Sequence, residues 1–273
     1  MNGEKFQTKK INDIVIKPVP IKHPDNRDVV GGDYLPIYSN TYICARKKSG
    51  KSTLIYNLIK QCTDKDSTVI VFCGTYTKDQ NWIAIQEYLD KKKIPNMFYN
   101  SIVGEDGVDN LRVLIDHMKI DDDEEKKEEE EEEPPIVIFN DDHIKVTVRK
   151  KKKKKISQKY LIIFDDISSE LKNPMVSLLL KTNRHYRSKC IISSQWLNDI
   201  QPQARRQIDV YMIFSGINEA KLEELYVNAD LNVSFEQFVS LYKDSTDKPF
   251  SFFYVDSANC KYRRNFNLEY LLK

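Results

Sequence analysis

The sequence predicts an α/β protein with a mostly parallel central sheet flanked by helices. One reason is that strand-like apolar segments alternate along the chain with segments of helical spacing, the order that builds parallel sheets. A second is that the strand-like segments are almost continuously apolar, which is typical of strands covered on both faces. Val69–Cys73 and Tyr160–Phe164 are examples. The 273 residues, of which 40% are hydrophobic, suffice for one such domain with insertions.

The individual elements follow from local periodicity and from the residues that end them. Apolar pairs at Leu54–Ile55 and Leu58–Ile59 recur at the spacing of one helical face and predict the first helix. Pro95 ends the second helix, and Gly74 ends the strand before that helix. Strands are predicted at Thr41–Cys44, Val69–Cys73, Met97–Tyr99, Tyr160–Phe164, Cys190–Ser194, Ile208–Phe214 and Phe250–Val255, and helices at Ser52–Gln61, Asn81–Lys92, Val108–Met118, Pro174–Asn183, Glu219–Val227 and Phe235–Tyr242.

Two regions depart from this alternation. Residues 1–40 are polar with scattered apolar pairs and a Gly31–Gly32 turn, and they predict an extended leader before a main domain at 41–273. A charged insertion occupies about residues 119–157. Its acidic run, Asp121–Glu133, predicts a disordered surface loop because such a block repels itself and buries nothing.

The rest of the insertion contains two β-like runs and a basic run. Ile136–Phe139 and Ile144–Val148 fit a hairpin, and Arg149–Lys155 closes the insertion. Two interpretations of the charge remain open. The acidic and basic runs either attract each other across a solvated loop or form a regulatory or DNA-contacting tail.

Composition sets broad limits on function. The net charge of +2 conceals the two opposed runs, so it says little about partners. No stretch approaches about 18 consecutive apolar residues, so no membrane span is predicted. The five cysteines lack CxxC spacing and mostly lie in or beside apolar runs, which indicates a reducing, intracellular compartment; they are Cys44, Cys62, Cys73, Cys190 and Cys260.

A phosphate-binding loop is the most specific motif. Residues 45–53 follow a predicted strand and open a predicted helix, the context in which backbone N–H groups and the helix dipole cradle phosphate. Gly50 allows close approach, Lys51 reaches the β- and γ-phosphates, and the Ser52 hydroxyl ligates Mg²⁺. The sequence therefore predicts a P-loop NTPase that binds ATP with Mg²⁺ through Ala45, Arg46, Lys47, Lys48, Ser49, Gly50, Lys51, Ser52 and Thr53.

A carboxylate partner is expected at the end of a neighbouring strand. Tyr160–Phe164 is followed by Asp165, expected to hold Mg²⁺, and by Asp166, expected to polarise the attacking water. Asp166 has an alternative interpretation as a helix N-cap. A similar run ends in Asn140–Asp142, but asparagine occupies its metal position and charge blocks surround it.

Further polar residues complete the predicted site. Gln195 follows the strand Cys190–Ser194 and is expected to sense the γ-phosphate and orient water, as in NTPases with an additional strand between the P-loop strand and the acidic strand. Arg184 and Arg187 are candidate arginine fingers, and Arg205 and Arg206 are further candidates. Each arginine has the alternative of facing solvent or capping the C-terminus of a helix.

Together these motifs resemble the viral genome-packaging ATPases of the FtsK/HerA superfamily, which include those of poxviruses, giant DNA viruses and virophages. The resemblance covers roughly residues 40–270. The charged insertion and Ala45, in place of the usual first glycine of the loop, depart from the family pattern. The matching segments are Ala45–Thr53, Val71–Thr75, Ile162–Asp166, Asn183–His185, Ile192–Gln195 and Lys261–Phe266.

The resemblance implies a homo-oligomeric ring, usually hexameric, that pumps double-stranded DNA into a preformed capsid. It implies ATP bound between subunits with an arginine supplied by the neighbour, DNA held mainly by its phosphates, and capsid proteins as partners. It further implies a location in the host cytoplasm, the viral factory or the virion. The alternatives are a nucleotide or nucleoside kinase, a helicase-type NTPase and a non-hydrolysing nucleotide switch; paired acids with Gln195 argue against the kinase and the switch.

Overall fold

In a computed structural model of the protein, the nine strands of the described residues form one continuous sheet. The structure describes residues 26–131 and 155–272. The strands in chain order are β1 Asn40–Cys44, β2 Thr68–Cys73, β3 Asn96–Tyr99, β4 Tyr160–Asp165, β5 Ser188–Ser194, β6 Val210–Phe214, β7 Phe252–Asp256, β8 Lys261–Arg264 and β9 Leu268–Glu269.

The strand order in the sheet is β3-β2-β4-β5-β1-β6-β7-β8-β9. The first six strands in this order are parallel, and β7, β8 and β9 add an antiparallel edge. Strand β5 lies between β1 and β4, so the predicted additional strand is confirmed. The register places Ser193 of β5 beside Ile43 of β1 and Asp165 of β4.

Helices cover both faces of the sheet, which explains the continuously apolar strands. Helices α1 and α2 pack on one face through residues such as Leu58 and Trp82. Apolar residues of α3, α4, α6 and α7 pack on the other face. The helices are α1 Lys51–Cys62, α2 Gln80–Lys92, α3 Asn110–Glu131, α4 Pro174–Thr182, α5 Pro202–Arg205, α6 Glu219–Ala229 and α7 Phe235–Ser245.

The predicted α/β architecture is therefore confirmed, and most predicted elements match the observed ones within a few residues. Helix α5 and strands β8 and β9 were not predicted from the sequence. Helix α5 and strand β8 have four residues each and β9 has two, and elements so short leave no periodicity to detect.

The prediction for the acidic run is wrong over its first part. Helix α3 continues through Glu131 instead of giving way to a disordered loop at Asp121. Its first turns are anchored in the core by Leu111, Ile115 and Met118. Once a helix is nucleated, adding residues is cheap, and Glu and Lys are good helix formers. The predicted hairpin, the Asn140–Asp142 run and the basic run up to residue 154 lie outside the described residues.

The described part of the leader packs onto the domain. Val29 and Leu35 are buried, and Val29 forms a parallel bridge with Ile156. The buried ammonium group of Lys189 lies 3.3 Å from the Val30 carbonyl oxygen and 3.4 Å from that of Leu35. The domain boundary at residue 40 stays a prediction. Within residues 26–131 and 155–272, none of the helices combines the length and the hydropathy that a membrane crossing requires.

Candidate nucleotide site

The candidate site lies where the carboxyl ends of the parallel strands meet the first turn of α1. This sheet edge is the usual ligand position in open α/β folds. The loop from Ala45 to Gly50 leaves β1 and leads directly into α1. The ends of β4 and β5 lie next to it because β5 pairs with β1 and β4 pairs with β5.

Left-handed backbone conformations shape the loop. Gly50, the N-cap of α1, has φ +97°, and Lys48 has φ +64°. A side chain at Gly50 would be strained, and its Cβ would lie 3.2 Å from Cδ1 of Phe250. Ala45 is 2% exposed, and its N–H lies 3.4 Å from the Ser194 carbonyl oxygen. The small alanine thus fits where the family pattern has glycine.

A salt bridge joins the phosphate loop to the acidic strand. Lys51 Nζ lies 2.7 Å from Oδ1 of Asp165, whose side chain is only 4% exposed. The other carboxylate oxygen accepts a hydrogen bond of 3.1 Å from the indole Nε1–H of buried Trp82. Asp165 is therefore held by one residue of α1 and one of α2, with its carboxylate at the first turn of the phosphate-binding helix.

Asp166 is exposed and has a left-handed backbone, with φ +55°. The Thr75 hydroxyl, just beyond β2, lies 3.5 Å from its Oδ2. No α-helix begins at Asp166 in this described region, and the next helix, α4, is capped by Asn173. The N-cap interpretation of Asp166 is therefore wrong. An aspartate tolerates this conformation better than most residues because its short polar side chain bonds locally.

The loop and the acids line a cleft of about 450 Å³. Two cysteines beside it carry no charge: burial raises the pKa of Cys44 to about 12 and also raises the pKa of Cys73. The cleft is lined by Arg46, Lys47, Lys48, Gly50, Lys51, Ser52, Thr53, Thr75, Asp79, Asn81, Asp165, Asp166 and Phe250.

These residues fit a Mg²⁺-bound nucleotide. Gly50 leaves room at the helix N-terminus, and the cations of the loop face two carboxylates across the cleft. The buried Ser49 hydroxyl has no hydrogen-bond partner among the residues that the structure describes. Among the described residues no group of three or more His, Cys, Asp or Glu side chains could hold a metal. A single carboxylate, a serine and phosphate oxygens are instead the typical ligand set for Mg²⁺.

The structure separates the remaining predicted residues from this cleft. Gln195 follows β5 at the same sheet edge, but its exposed side chain is not among the cleft residues, and its carbonyl oxygen accepts from Lys221 Nζ at 3.1 Å. Arg184 and Arg187 precede β5 and therefore lie at the opposite edge. The seven residues of β5 put roughly 20 Å between the two edges.

The candidate arginines differ in their surroundings. Arg184 is 71% exposed and pairs with Asp209 at 3.1 Å. Arg205 is mostly covered: its Nε–H donates to the Ile200 carbonyl oxygen at 2.8 Å, and its guanidinium lies 3.4 Å from Glu224. Arg205 is thus engaged within its own subunit. Arg206 is exposed.

Trp82 and Phe250 both contact residues of the site, but neither was singled out from the sequence. Trp82 orients Asp165 from α2, and Phe250 lies against Gly50 just before β7. No local pattern marks either residue, since Trp82 reads as one apolar position of an amphipathic helix. Thr75 was noted only as part of the segment Val71–Thr75.

Fold and site together define a P-loop NTPase of the additional-strand type. The family model described as "Poxvirus A32 protein" matches residues 118–262, just over half of the chain. The chain belongs to this family. The matched region contains Asp165, Asp166 and Gln195 and begins beyond the P-loop.

Solved structures show the same fold at low sequence identity. The DNA-packaging ATPase B204 from Sulfolobus turreted icosahedral virus has 16% identity and a TM-score of 0.52, with 88% of this chain and all of that chain covered. The genome packaging NTPase B204 from Sulfolobus turreted icosahedral virus 2, in complex with AMP, has 17% identity and a TM-score of 0.50, with 86% and 98% covered. A B204 complex with ATP-gammaS is 18% identical, with a TM-score of 0.46 and 82% and 95% covered.

No curated protein sequence matches the chain significantly. The resemblance to viral genome-packaging ATPases is nevertheless confirmed by the family match and by the shared B204 fold.

Proposed function

We propose that this protein hydrolyses ATP and uses the energy to move double-stranded DNA into a viral capsid. The observation that carries the proposal is the Lys51–Asp165 pair of 2.7 Å at the mouth of a P-loop, within a chain of the poxvirus A32 family. The description of B204 as a DNA-packaging ATPase supports the same activity. A nucleoside kinase and a helicase-type NTPase are not favoured.

In this proposal each residue of the site has a separate role in binding or hydrolysing ATP. The loop amides and Lys51 bind the β- and γ-phosphates, and the Ser52 hydroxyl and Asp165 hold Mg²⁺. When bound, Mg²⁺ offsets the charge on the phosphate oxygens. Asp166 polarises the attacking water. Gln195, whose exposed side chain lies outside the cleft, must turn towards the γ-phosphate to orient that water. The low exposure of Asp165 keeps its carboxylate fixed.

We infer that the arginine finger, the cation that stabilises the charge on the transferred phosphoryl group, comes from a second subunit of a hexameric ring. Arg184 and Arg187 lie at the sheet edge opposite the cleft, so neither reaches the phosphates of its own subunit. Arg184 is 71% exposed, whereas the Asp209 side chain is only 16% exposed. When Arg184 turns to a neighbouring site, Asp209 keeps the hydrogen bond of 2.8 Å that it accepts from the Asn40 N–H.

The remaining partners follow from the activity proposed. Contacts to double-stranded DNA are to phosphates, since packaging requires no base sequence. Capsid proteins are the further partners of the ring. The protein works in the host cytoplasm or viral factory, or travels with the virion.

Steady-state ATP hydrolysis with and without long double-stranded DNA, at low and moderate salt, tests the function. We expect stimulation by duplex DNA that weakens as salt rises, because phosphate contacts release counterions. Lys51→Ala abolishes hydrolysis, whereas Lys243→Ala, a change at an exposed lysine of α7, leaves it intact. Hydrolysis that ignores DNA, or DNA-dependent strand separation, contradicts the proposed translocase.

Mixing two inactive variants tests the arginine. Subunits with Arg184→Ala keep a complete P-loop, and subunits with Lys51→Ala keep Arg184. If Arg184 acts on the neighbouring site, mixed rings recover activity that neither variant has alone. Arg187→Ala is tested in the same way, and Arg112→Ala, a change at an exposed arginine of α3, serves as the control. Full activity of Arg184→Ala and Arg187→Ala alone rules out both fingers.

A further inference from the structure

A second cavity, of about 490 Å³, adjoins the phosphate cleft. The two share three lining residues, Gly50, Thr53 and Phe250. The second cavity extends from the start of α1 towards Phe214, the last residue of β6, and Phe252, the first residue of β7. It is thus a continuation of the nucleotide cleft rather than an isolated hollow.

The position of this cavity matches the nucleoside end of a bound nucleotide. In the sheet, β5 and β4 lie on one side of β1, and β6 and β7 lie on the other. Asp165 ends β4, Asp166 follows it, and the two carboxylates mark the expected side of the γ-phosphate. A triphosphate that crosses the loop from Asp165 past Gly50 therefore points its sugar and base towards β6 and β7.

The walls of the cavity are aromatic. Phe266 is one of its lining residues, and its ring centroid lies 4.9 Å from that of Tyr34 and 5.1 Å from that of Phe252. The rings of Phe214 and Phe252 are 5.5 Å apart. Aromatic side chains provide the flat apolar faces on which nucleic-acid bases stack.

Two amide side chains supply polar groups at the same cavity. Asn57 and Gln61 are both exposed and lie one turn apart on α1. The Nδ2 group of Asn57 donates to the Thr53 carbonyl oxygen at 2.9 Å, which holds this side chain along the helix. Amides offer both donors and acceptors, the groups that a base edge requires.

Phe250 stands between the two cavities in an unusual conformation. Its backbone has φ +65°, and its side chain is 69% exposed. A left-handed conformation costs a bulky residue free energy, and such outliers concentrate at ligand sites. The exposed ring lies beside Gly50, at the junction of the two cavities.

We propose that this aromatic cavity is the base-binding subsite of the nucleotide site, and that Phe250 stacks on the purine base of ATP. The proposal rests on the proposed function, since it requires a nucleoside triphosphate at the P-loop. It assigns the binding of the base to Phe250, Phe252 and Phe266 and the binding of the phosphates to the loop.

Comparison of two ligands separates these contributions. Equilibrium binding of Mg-ATP and of Mg-tripolyphosphate, which has no base, is measured by calorimetry for the wild type and Phe250→Ala. We expect ATP binding to weaken about 10-fold or more in the variant, the scale of one lost stacking contact. Tripolyphosphate binding stays within about 2-fold, because the loop is unchanged.

Two control variants show whether a loss of ATP binding is specific to the aromatic ring of Phe250. Phe250→Tyr retains the stacking ring and keeps wild-type affinity for ATP. Val227→Ala alters a side chain of similar exposure, 67%, on α6 and affects neither ligand. Equal weakening for both ligands, or no weakening for ATP in Phe250→Ala, overturns the proposed subsite.

The outcome is independent of the DNA experiment. A base-dependent loss in Phe250→Ala, together with hydrolysis indifferent to DNA, leaves the subsite standing and removes the translocase. DNA-stimulated hydrolysis together with unchanged ATP binding in Phe250→Ala supports the translocase and overturns the proposed subsite.

Discussion

The ammonium group of Lys51 lies 2.7 Å from the carboxylate of Asp165, although the two residues come from α1 and from β4. Because Asp165 is buried and Trp82 binds its second oxygen, this salt bridge fixes the acidic strand against the phosphate loop. The same two side chains are the proposed ligands of phosphate and Mg²⁺. The pair therefore links the stability of the domain to its catalytic site.

Lys51→Ala is expected to lower both activity and stability. The loss of the cation removes phosphate binding, and turnover falls by about 10²-fold or more. The variant also leaves the Asp165 carboxylate without its ionic partner, at a cost of about 1–3 kcal/mol in unfolding free energy. Urea denaturation measures this cost.

The double variant Lys51→Ala/Asp165→Asn provides the control. Removal of the charge at Asp165 is expected to restore most of the lost stability without restoring hydrolysis. Equal stability of Lys51→Ala and the wild type contradicts the structural role of the salt bridge.

Asp166→Asn is expected to separate binding from turnover. The side chain is exposed and lies only 3.5 Å from the Thr75 hydroxyl, so the fold tolerates the change. ATP affinity stays near that of the wild type, whereas turnover falls by about 10²-fold, the scale of a lost general base. Single-turnover hydrolysis and nucleotide binding provide the two measurements. Normal turnover removes Asp166 from the mechanism.

Trp82→Phe is expected to raise the Mg²⁺ requirement. Phenylalanine retains an aromatic ring in the core but lacks the N–H group that holds Asp165 Oδ2 at 3.1 Å. Outer-shell partners of this kind change metal affinity by about 10–100-fold when removed. A Mg²⁺ titration of ATPase activity measures the shift. Trp196→Phe, at the half-exposed tryptophan beyond β5, is the control and leaves the titration unchanged.

Thiol labelling is expected to single out Cys260. This cysteine is exposed, whereas Cys44, Cys62, Cys73 and Cys190 are buried. Burial raises the pKa of each buried thiol, to about 12 for Cys44, so these thiols stay protonated and unreactive in the folded protein as pH rises from 7 to 9.

Mass spectrometry after reaction with iodoacetamide counts the labelled cysteines. One adduct is expected on the native protein and five after unfolding. Because the folded protein favours the protonated thiols, the contribution of the buried cysteines to the free energy of unfolding is fully present below pH 9. This contribution is lost as the pH rises towards the raised pKa of the folded state. Rapid labelling of several cysteines at pH 7 contradicts the described burial.

Local sequence determined much of this protein because its strongest signals are local in origin. Continuous apolar strands, helical periodicity and the loop at residues 45–53 each arise from neighbouring residues. The paired acids after Tyr160–Phe164 were also visible, since a strand end and a charge are adjacent in the chain. Gln195 indicated the type of NTPase that has an additional strand between the P-loop strand and the acidic strand. The observed strand order confirms that β5 lies in this position.

Tertiary structure decided the contacts between distant segments. It placed Trp82 on Asp165 and Phe250 beside Gly50, neither of which a local pattern marks. It also continued α3 into the acidic run, because core contacts of Leu111 and Met118 nucleate a helix that composition alone did not predict. Finally, it put Arg184 at the far edge of the sheet, since parallel strands send their two ends to opposite edges. Residue type shows which groups are present, but the fold determines which of them meet.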